Sequence, residues 1–283
     1  MNHSKFLVGL VLVALVGLIL GCVRPTSDTV SPKIPVPIVM EPTITPRPAN
    51  TAIPTTTPAP VSICSPLEDI ELTDLKDFIS NPFELALIPD SRDSGHQGTD
   101  FAYYTHPVTG HVMQGTAIQA LFSGRVASVS SGKSPFGNLI MIETSVENLP
   151  QEVAALFSAY PQPTPFVAET HLTCPNVVEP DPDWRTDHPA IYVLYAHMEQ
   201  PAELEVDDRV MCGSAIGLVG NSGRSGNPHL HLEIRYGPGN ATIESLAHYS
   251  GDATPEEIAN YCTWRVSGIF QAIDPMLVIN SMQ

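Results

Sequence analysis

The chain has 283 residues, 43% of them hydrophobic, and a formal net charge of −17 from 13 Lys and Arg against 30 Asp and Glu. That apolar content is ample for a packed core. The acidity, with no basic stretch, excludes nucleic acid as a partner and argues against tight adsorption to an anionic surface.

The first 22 residues read as a targeting segment. Lys5 supplies one positive charge, and Phe6 to Leu20 is an apolar run of signal-peptide length, short for a membrane span. It ends Ile19-Leu20-Gly21-Cys22, which resembles the lipobox of bacterial lipoproteins, in which the cysteine carries a diacylglyceryl group and becomes the N-terminus. The other reading is an uncleaved anchor or a plain secretory signal. Both imply export, and the first implies a membrane partner through a lipid on Cys22. Residues 23–63 are dominated by Pro and Thr, as in Pro54-Thr55-Thr56-Thr57-Pro58. Such a stretch cannot build a core and reads as a semi-rigid spacer, reaching on the order of 120 Å at about 3.1 Å per residue. One folded domain, 64–283, is then sufficient. Apart from Cys22 it holds the chain's four other cysteines, Cys64, Cys174, Cys212 and Cys262. An even number in an exported domain predicts two disulfides, with three connectivities open. Cys64 and Cys262 lie near the domain's two ends, so the expected pairing is Cys64–Cys262 with Cys174–Cys212.

In chain order, the spacing of Leu72, Leu75 and Ile79 predicts a helix over 66–80. Ser94-Gly95-His96-Gln97-Gly98-Thr99-Asp100-Phe101 follows. As a strand it puts His96, Gly98 and Asp100 on one face, and the missing side chain at Gly98 lets the imidazole and carboxylate converge. Taken alone, the stretch also reads as a polar turn. His106 and His111 sit in a loop with Pro107 and Gly110 and read as solvated. Short strands bounded by glycine are predicted at 115–120, 124–129 and 139–143. Residues 145–190 read as an insertion that opens with a helix to about Ala159 and becomes proline- and aspartate-rich. Ile191 to Met198 is a strand with His197 at its end, and 206–219 gives two short strands around Gly213.

The next stretch is Gly226-Asn227-Pro228-His229-Leu230-His231-Leu232-Glu233-Ile234. Pro228 fits the opening of a strand, where no ladder N–H is needed. Period two then puts His229, His231 and Glu233 on one face and Leu230, Leu232 and Ile234 on the other. At the C-terminus, Thr254-Pro255-Glu256-Glu257 is a capping box that starts a helix reaching Tyr261, read as structural. Many short strands with turn signals between them make the predicted fold class all-β: antiparallel short-strand sheets around an open groove, with a few peripheral helices.

Together, His96-x-Gly98-x-Asp100, Tyr195-Ala196-His197 and His229-Leu230-His231 resemble the lysostaphin/LytM-type zinc metallopeptidases, peptidase family M23. The flanks match as well: Gly115-Thr116 with Ala120 and Gly124 after the first motif, and Ile216-Gly217-x-Val219-Gly220-Asn221-Ser222-Gly223 before the last. The resemblance covers about residues 94–143 and 190–236. It implies zinc held by His96, Asp100 and His231, and catalytic assistance from His197 and His229. Which of these two is the base stays open. It also implies peptidoglycan peptides as substrate, cut in cross-links or stem peptides at the cell envelope. A second possibility within the family is a non-catalytic scaffold that activates another wall hydrolase, and a third is a general secreted metalloprotease. The chain has no His-Glu-x-x-His sequence of the thermolysin kind. The loop Ala102–Gln114 and the 145–190 insertion are longer than the family pattern.

Overall fold

The computed structural model describes residues 62–85, 93–158, 174 and 181–281. The leader with Cys22, the spacer up to residue 61, and residues 159–173 and 175–180 of the insertion lie outside this range. The strands are β1 (Ile79–Asn81), β2 (Thr99–Phe101), β3 (Ala117–Gln119), β4 (Gly124–Lys133) and β5 (Gly137–Ser145). They continue as β6 (Arg185–Met198), β7 (Arg209–Val210), β8 (Ala215–Leu218), β9 (Leu230–Gly239) and β10 (Gln271–Ile273). Three helices accompany them: α1 (Gln151–Phe157), α2 (Pro255–Arg265) and α3 (Pro275–Asn280). The architecture is all-β and antiparallel. One sheet runs β1-β2-β9-β6-β5-β4-β7, with β10 also on β9, and β3 pairs β8 separately.

β5 and β6 carry continuous apolar runs, Leu139–Ile142 and Ala190–Ala196, because both of their faces are covered, whereas β9 alternates apolar with polar residues. On one face Ile140, Ile142, Val193, Tyr195, Leu230, Leu232 and Ile234 join a single core. On the other, Leu139, Met141, Tyr192, Leu194 and Ala196 pack under Trp264 and Phe270 from the C-terminal part of the chain. Truncating one such side chain to alanine typically costs about 2–5 kcal/mol. α2 starts as its sequence predicts. Thr254 accepts from the Glu257 backbone N–H at 3.2 Å, and the Glu257 carboxylate accepts from the Thr254 N–H at 3.0 Å. It runs one turn beyond Tyr261 to Arg265, which lays Trp264 on the sheet.

Three expectations are corrected. The segment 66–80 is not a helix but a 3₁₀ turn, Leu75–Phe78, followed by β1. Its backbone bonds sideways to β3 instead: Glu68 N–H donates to Ala117 O and Gln119 N–H to Pro66 O. Pairing across space displaces the local i→i−4 ladder, although Leu75 is buried as its spacing requires. The disulfides are Cys64–Cys212 and Cys174–Cys262, not Cys64–Cys262 with Cys174–Cys212. Cys64 and Cys212 meet because Cys64 N–H donates to Leu121 O and Cys212 N–H to Ser123 Oγ, two points on one loop. Cys262 lies on the buried face of α2, packed on the sheet, which position along the chain does not reveal. His106 is buried rather than solvated. It stacks on Phe78, and its Nδ1 accepts from Val108 N–H and Thr109 N–H, both at 3.1 Å, closing the turn. His111 is exposed, as expected.

Candidate functional site

Strand register brings the three motifs to one place. β2 pairs β9 with Asp100 opposite His231, and β6 pairs β9 with Ala196 opposite His231, so His197 follows at the strand's end. His96 enters through a bridge to Glu84. Gly98 is required by space: a Cβ there would lie 2.7 Å from His231 Cε1 and 2.7 Å from Leu232 O. The glycine therefore makes room for the histidine arriving from β9, as well as letting its own neighbours converge.

His96 Nε2 lies 3.1 Å from Asp100 Oδ1 and 3.2 Å from His231 Nδ1, and His231 Nδ1 is 2.7 Å from Asp100 Oδ1. His229 Nε2 is 3.5 Å from the same carboxylate oxygen. The His197 ring centre is 4.7 Å from that of His229 and 5.7 Å from that of His231.

On each ring the nitrogen facing away from the cluster has an acceptor. Nδ1–H donates from His96 to Pro82 O at 2.9 Å, from His197 to Ser222 O at 2.8 Å and from His229 to Asn227 O at 2.8 Å. His231 is turned the other way and donates Nε2–H to Glu233 at 3.2 Å. Hydrogen bonds of this kind fix both tautomer and ring orientation.

The electrostatics follow from burial and these contacts. Burial alone would raise the Asp100 pKa, but hydrogen bonds from His231 and His96 outweigh it and hold the carboxyl well below its usual range. Burial would likewise lower His231, yet Asp100 and Glu233 on its two sides push it up to about 9. His197 has no such carboxylate contact. Burial, with the positive charge of His231 and His229 beside it, pushes its pKa down to about 3. Behind His231, Glu233 is fully buried and also accepts from Arg235 Nε at 3.0 Å and Trp264 Nε1 at 2.8 Å. Arg235 in turn donates to Gln97 at 2.6 Å.

The sequence placed Glu233 on the histidine face without giving it a part. Continuing the same period two would have added Arg235. Nothing local signals Trp264 or Arg265, which reach the site through α2. The histidines and Asp100 line a cavity of about 640 Å³, shared with Asn81, Phe136, Arg224, Tyr249 and Arg265. A second group of potential ligands, Cys174, His248 and Cys262, contains the disulfide.

An antiparallel β domain with a histidine–aspartate cluster at the mouth of one strand pair is an arrangement suited to metal-assisted hydrolysis. Residues 185–243 match the model of peptidase family M23, the family that the three motifs resemble. The matched segment spans β6 to the end of β9 and includes His197, His229 and His231, while His96 and Asp100 precede it.

No curated protein matches the chain. Among solved structures it is similar to the catalytic domain of the antimicrobial peptidase lysostaphin from Staphylococcus simulans, at 16% identity and a TM-score of 0.38, over 74% of this chain and 98% of that one. A variant of the catalytic domain of the prophage-encoded M23 protein EnpA from Enterococcus faecalis aligns at 19% identity and a TM-score of 0.31, over 70% and 93% of the two chains. A zinc-containing peptidase from Vibrio cholerae aligns at 20% identity and a TM-score of 0.29, over 55% and 32%.

Proposed function

We propose that this protein is a zinc-dependent endopeptidase that hydrolyses peptide bonds in peptidoglycan cross-links or stem peptides. The observation that carries the reading is the convergence of His96 Nε2, Asp100 Oδ1 and His231 Nδ1, all within 4.8 Å of one another. Two imidazole nitrogens and one carboxylate oxygen form a donor set that suits zinc and leaves a coordination position open. The acceptors behind His96 and His231 keep those two nitrogens aimed inward. These three residues would hold the metal, which when bound acidifies a water to a pKa of roughly 7 and polarises a carbonyl.

His197 and His229 do the proton work. With Nδ1–H of each ring held by a backbone carbonyl, Nε2 is the atom left for the reaction. His197 is neutral at neutral pH, its pKa being depressed to about 3. One of the two takes the proton of the attacking water on its bare Nε2 and returns it to the leaving amine, while the other donates to the oxyanion once its own Nε2 carries a proton. On this reading residues 1–22 are the leader, Cys22 carries the lipid, 23–63 is the spacer, and 64–283 works on the envelope of a bacterial cell, at the surface or in the periplasm.

The test is incubation of the zinc-loaded protein with purified muropeptides, with mass spectrometry of the products. New peptide termini that vanish with chelator and return with zinc are expected, and their masses identify the bond. Stoichiometric zinc without cleavage would favour the scaffold role. Cleavage of casein but not of muropeptides would favour a general protease.

A further inference from the structure

Two arginines line the cavity of the histidine cluster. Arg265 is committed: its side chain is largely covered and forms ion pairs, Nε 3.5 Å from Asp93 and Nη1 3.4 Å from Glu233. Asp93 is further engaged by the Tyr261 hydroxyl at 2.9 Å and by Tyr249. Arg224 is the opposite case. Its side chain is exposed on the cavity wall and has no ion pair among the described residues, in a chain with a formal net charge of −17.

Its backbone is nonetheless fixed. Arg224 N–H donates to Pro135 O at 2.8 Å. Ser222 Oγ donates to Met198 O at 2.7 Å and accepts from Asn138 N–H at 2.9 Å. Gly223 has φ +73°, and a Cβ there would lie 2.3 Å from Gly137 N. The same Ser222 whose carbonyl orients His197 thus anchors the loop two residues before Arg224. A guanidinium on a pinned backbone, lining the same cavity as the histidines and with no carboxylate partner among the described residues, is suited to receive an anion.

We propose that Arg224 is a specificity residue that binds a carboxylate of the substrate peptide. The enzyme would then select peptides with a free carboxylate beside the cut bond over the same peptides with that group amidated. This deepens the endopeptidase reading and rests on it for the identity of the site. The two cavity carboxylates, Asp93 and Asp100, are taken by Arg265 and the histidines, so they do not compete for Arg224.

The test uses two synthetic cross-link peptides, identical except that one carboxylate is free in the first and amidated in the second. For the zinc-loaded wild-type protein, kcat/KM for the acid should exceed that for the amide by about 10- to 100-fold, as for a hydrogen bond to a charged group. The difference should lie mainly in KM and shrink with added salt. In R224Q the ratio should fall to about one, and R224K, which keeps the charge without the planar fork, should fall between. A wild-type ratio near one, or a ratio that survives in R224Q, overturns the proposal. The same ratio measured as affinities by calorimetry decides the matter without turnover. A preference in binding that R224Q abolishes, with neither peptide cut, would sink the endopeptidase reading and leave carboxylate capture standing.

Discussion

The central sheet carries a cluster of charged and polar groups at each end, and the two are built on opposite principles. At the β4–β5 end, Arg125 has every donor satisfied. Nε binds Glu143 at 2.8 Å, Nη1 binds Asp207 at 2.8 Å and Thr242 at 3.2 Å, and Nη2 binds Glu143 and Ala241 O. Glu143 spends its other oxygen on the Asn240 N–H. Five N–H bonds meet four acceptor oxygens, one Glu143 oxygen taking two, and no donor is left over. At the β2–β9 end, His96 Nε2 and His231 Nδ1 both face Asp100 Oδ1, two imidazole nitrogens around one carboxylate oxygen, joined through protons that can exchange. A saturated cluster of opposite charges holds a fold together, whereas one joined by exchangeable protons has nitrogen and oxygen atoms that could take a cation in their place. Cavity size does not separate the two. The larger space, about 860 Å³, lies at the Arg125 end, and the histidine cavity holds about 640 Å³.

Substitutions at the histidine end should produce the largest effects. His231→Ala or Asp100→Ala leaves two protein groups for the metal, so zinc content and activity should fall together. His197→Ala or His229→Ala leaves the three donors intact. Zinc should stay near stoichiometric while the rate drops by about 10²–10⁴-fold, the usual worth of an acid–base group. Metal analysis of the purified variants beside cleavage rates, with folding checked by circular dichroism, decides it. If His229→Ala loses zinc as fully as His231→Ala, the division of roles between them is wrong.

Arg125→Met should give the converse. It strands Glu143 in a largely buried position, so stability should fall by about 3–5 kcal/mol, as when one partner of a buried ion pair is removed. Zinc stoichiometry and kcat/KM of the folded fraction should not change. Denaturant unfolding beside a metal assay reads both, and a loss of zinc here would show that the two ends are coupled.

The smallest effect is a pH signature confined to the histidine end. His231 is raised from 6.5 to about 9 in the folded protein. Its contribution to stability is full below pH 6.5 and is lost as pH rises through 9. His197, lowered from 6.5 to about 3, acts in the other direction: the cost of charging it grows as pH falls below 6.5. In chelator, Tm should therefore decline on the alkaline side between pH 6.5 and 9.5. With zinc in place of the His231 proton, that decline should disappear. Melting curves at several pH values, with and without zinc, test this. An alkaline decline of equal size in both conditions would place its origin away from the cluster.

Much of this site is legible in the chain itself. Alternation along β9 placed His229, His231 and Glu233 on one face and Leu230, Leu232 and Ile234 on the other, because a strand's geometry fixes which side chains are neighbours. Gly98 between His96 and Asp100, and the capping box at Thr254, could be read for the same reason: each is a rule about residues a few positions apart. Where short-range rules compete with long-range ones they fail. The apolar spacing over 66–80 is real, but hydrogen bonds to β3 decided its backbone conformation. His106 was read as solvated because its burial against Phe78 depends on a residue 28 positions away.

What the sequence determined by itself is the β character of the domain, the resemblance to the M23 peptidases, and the residues of the three motifs with their order along the chain. Tertiary structure alone decided which nitrogen of each histidine faces the cluster, and which cysteines pair. It also brought Trp264 and Arg265 to Glu233, behind His231, and left Arg224 without a carboxylate partner among the described residues. These facts depend on distances between segments that lie far apart in the chain. Local periodicity constrains the direction of a side chain on its own strand or helix, and packing sets what that side chain meets.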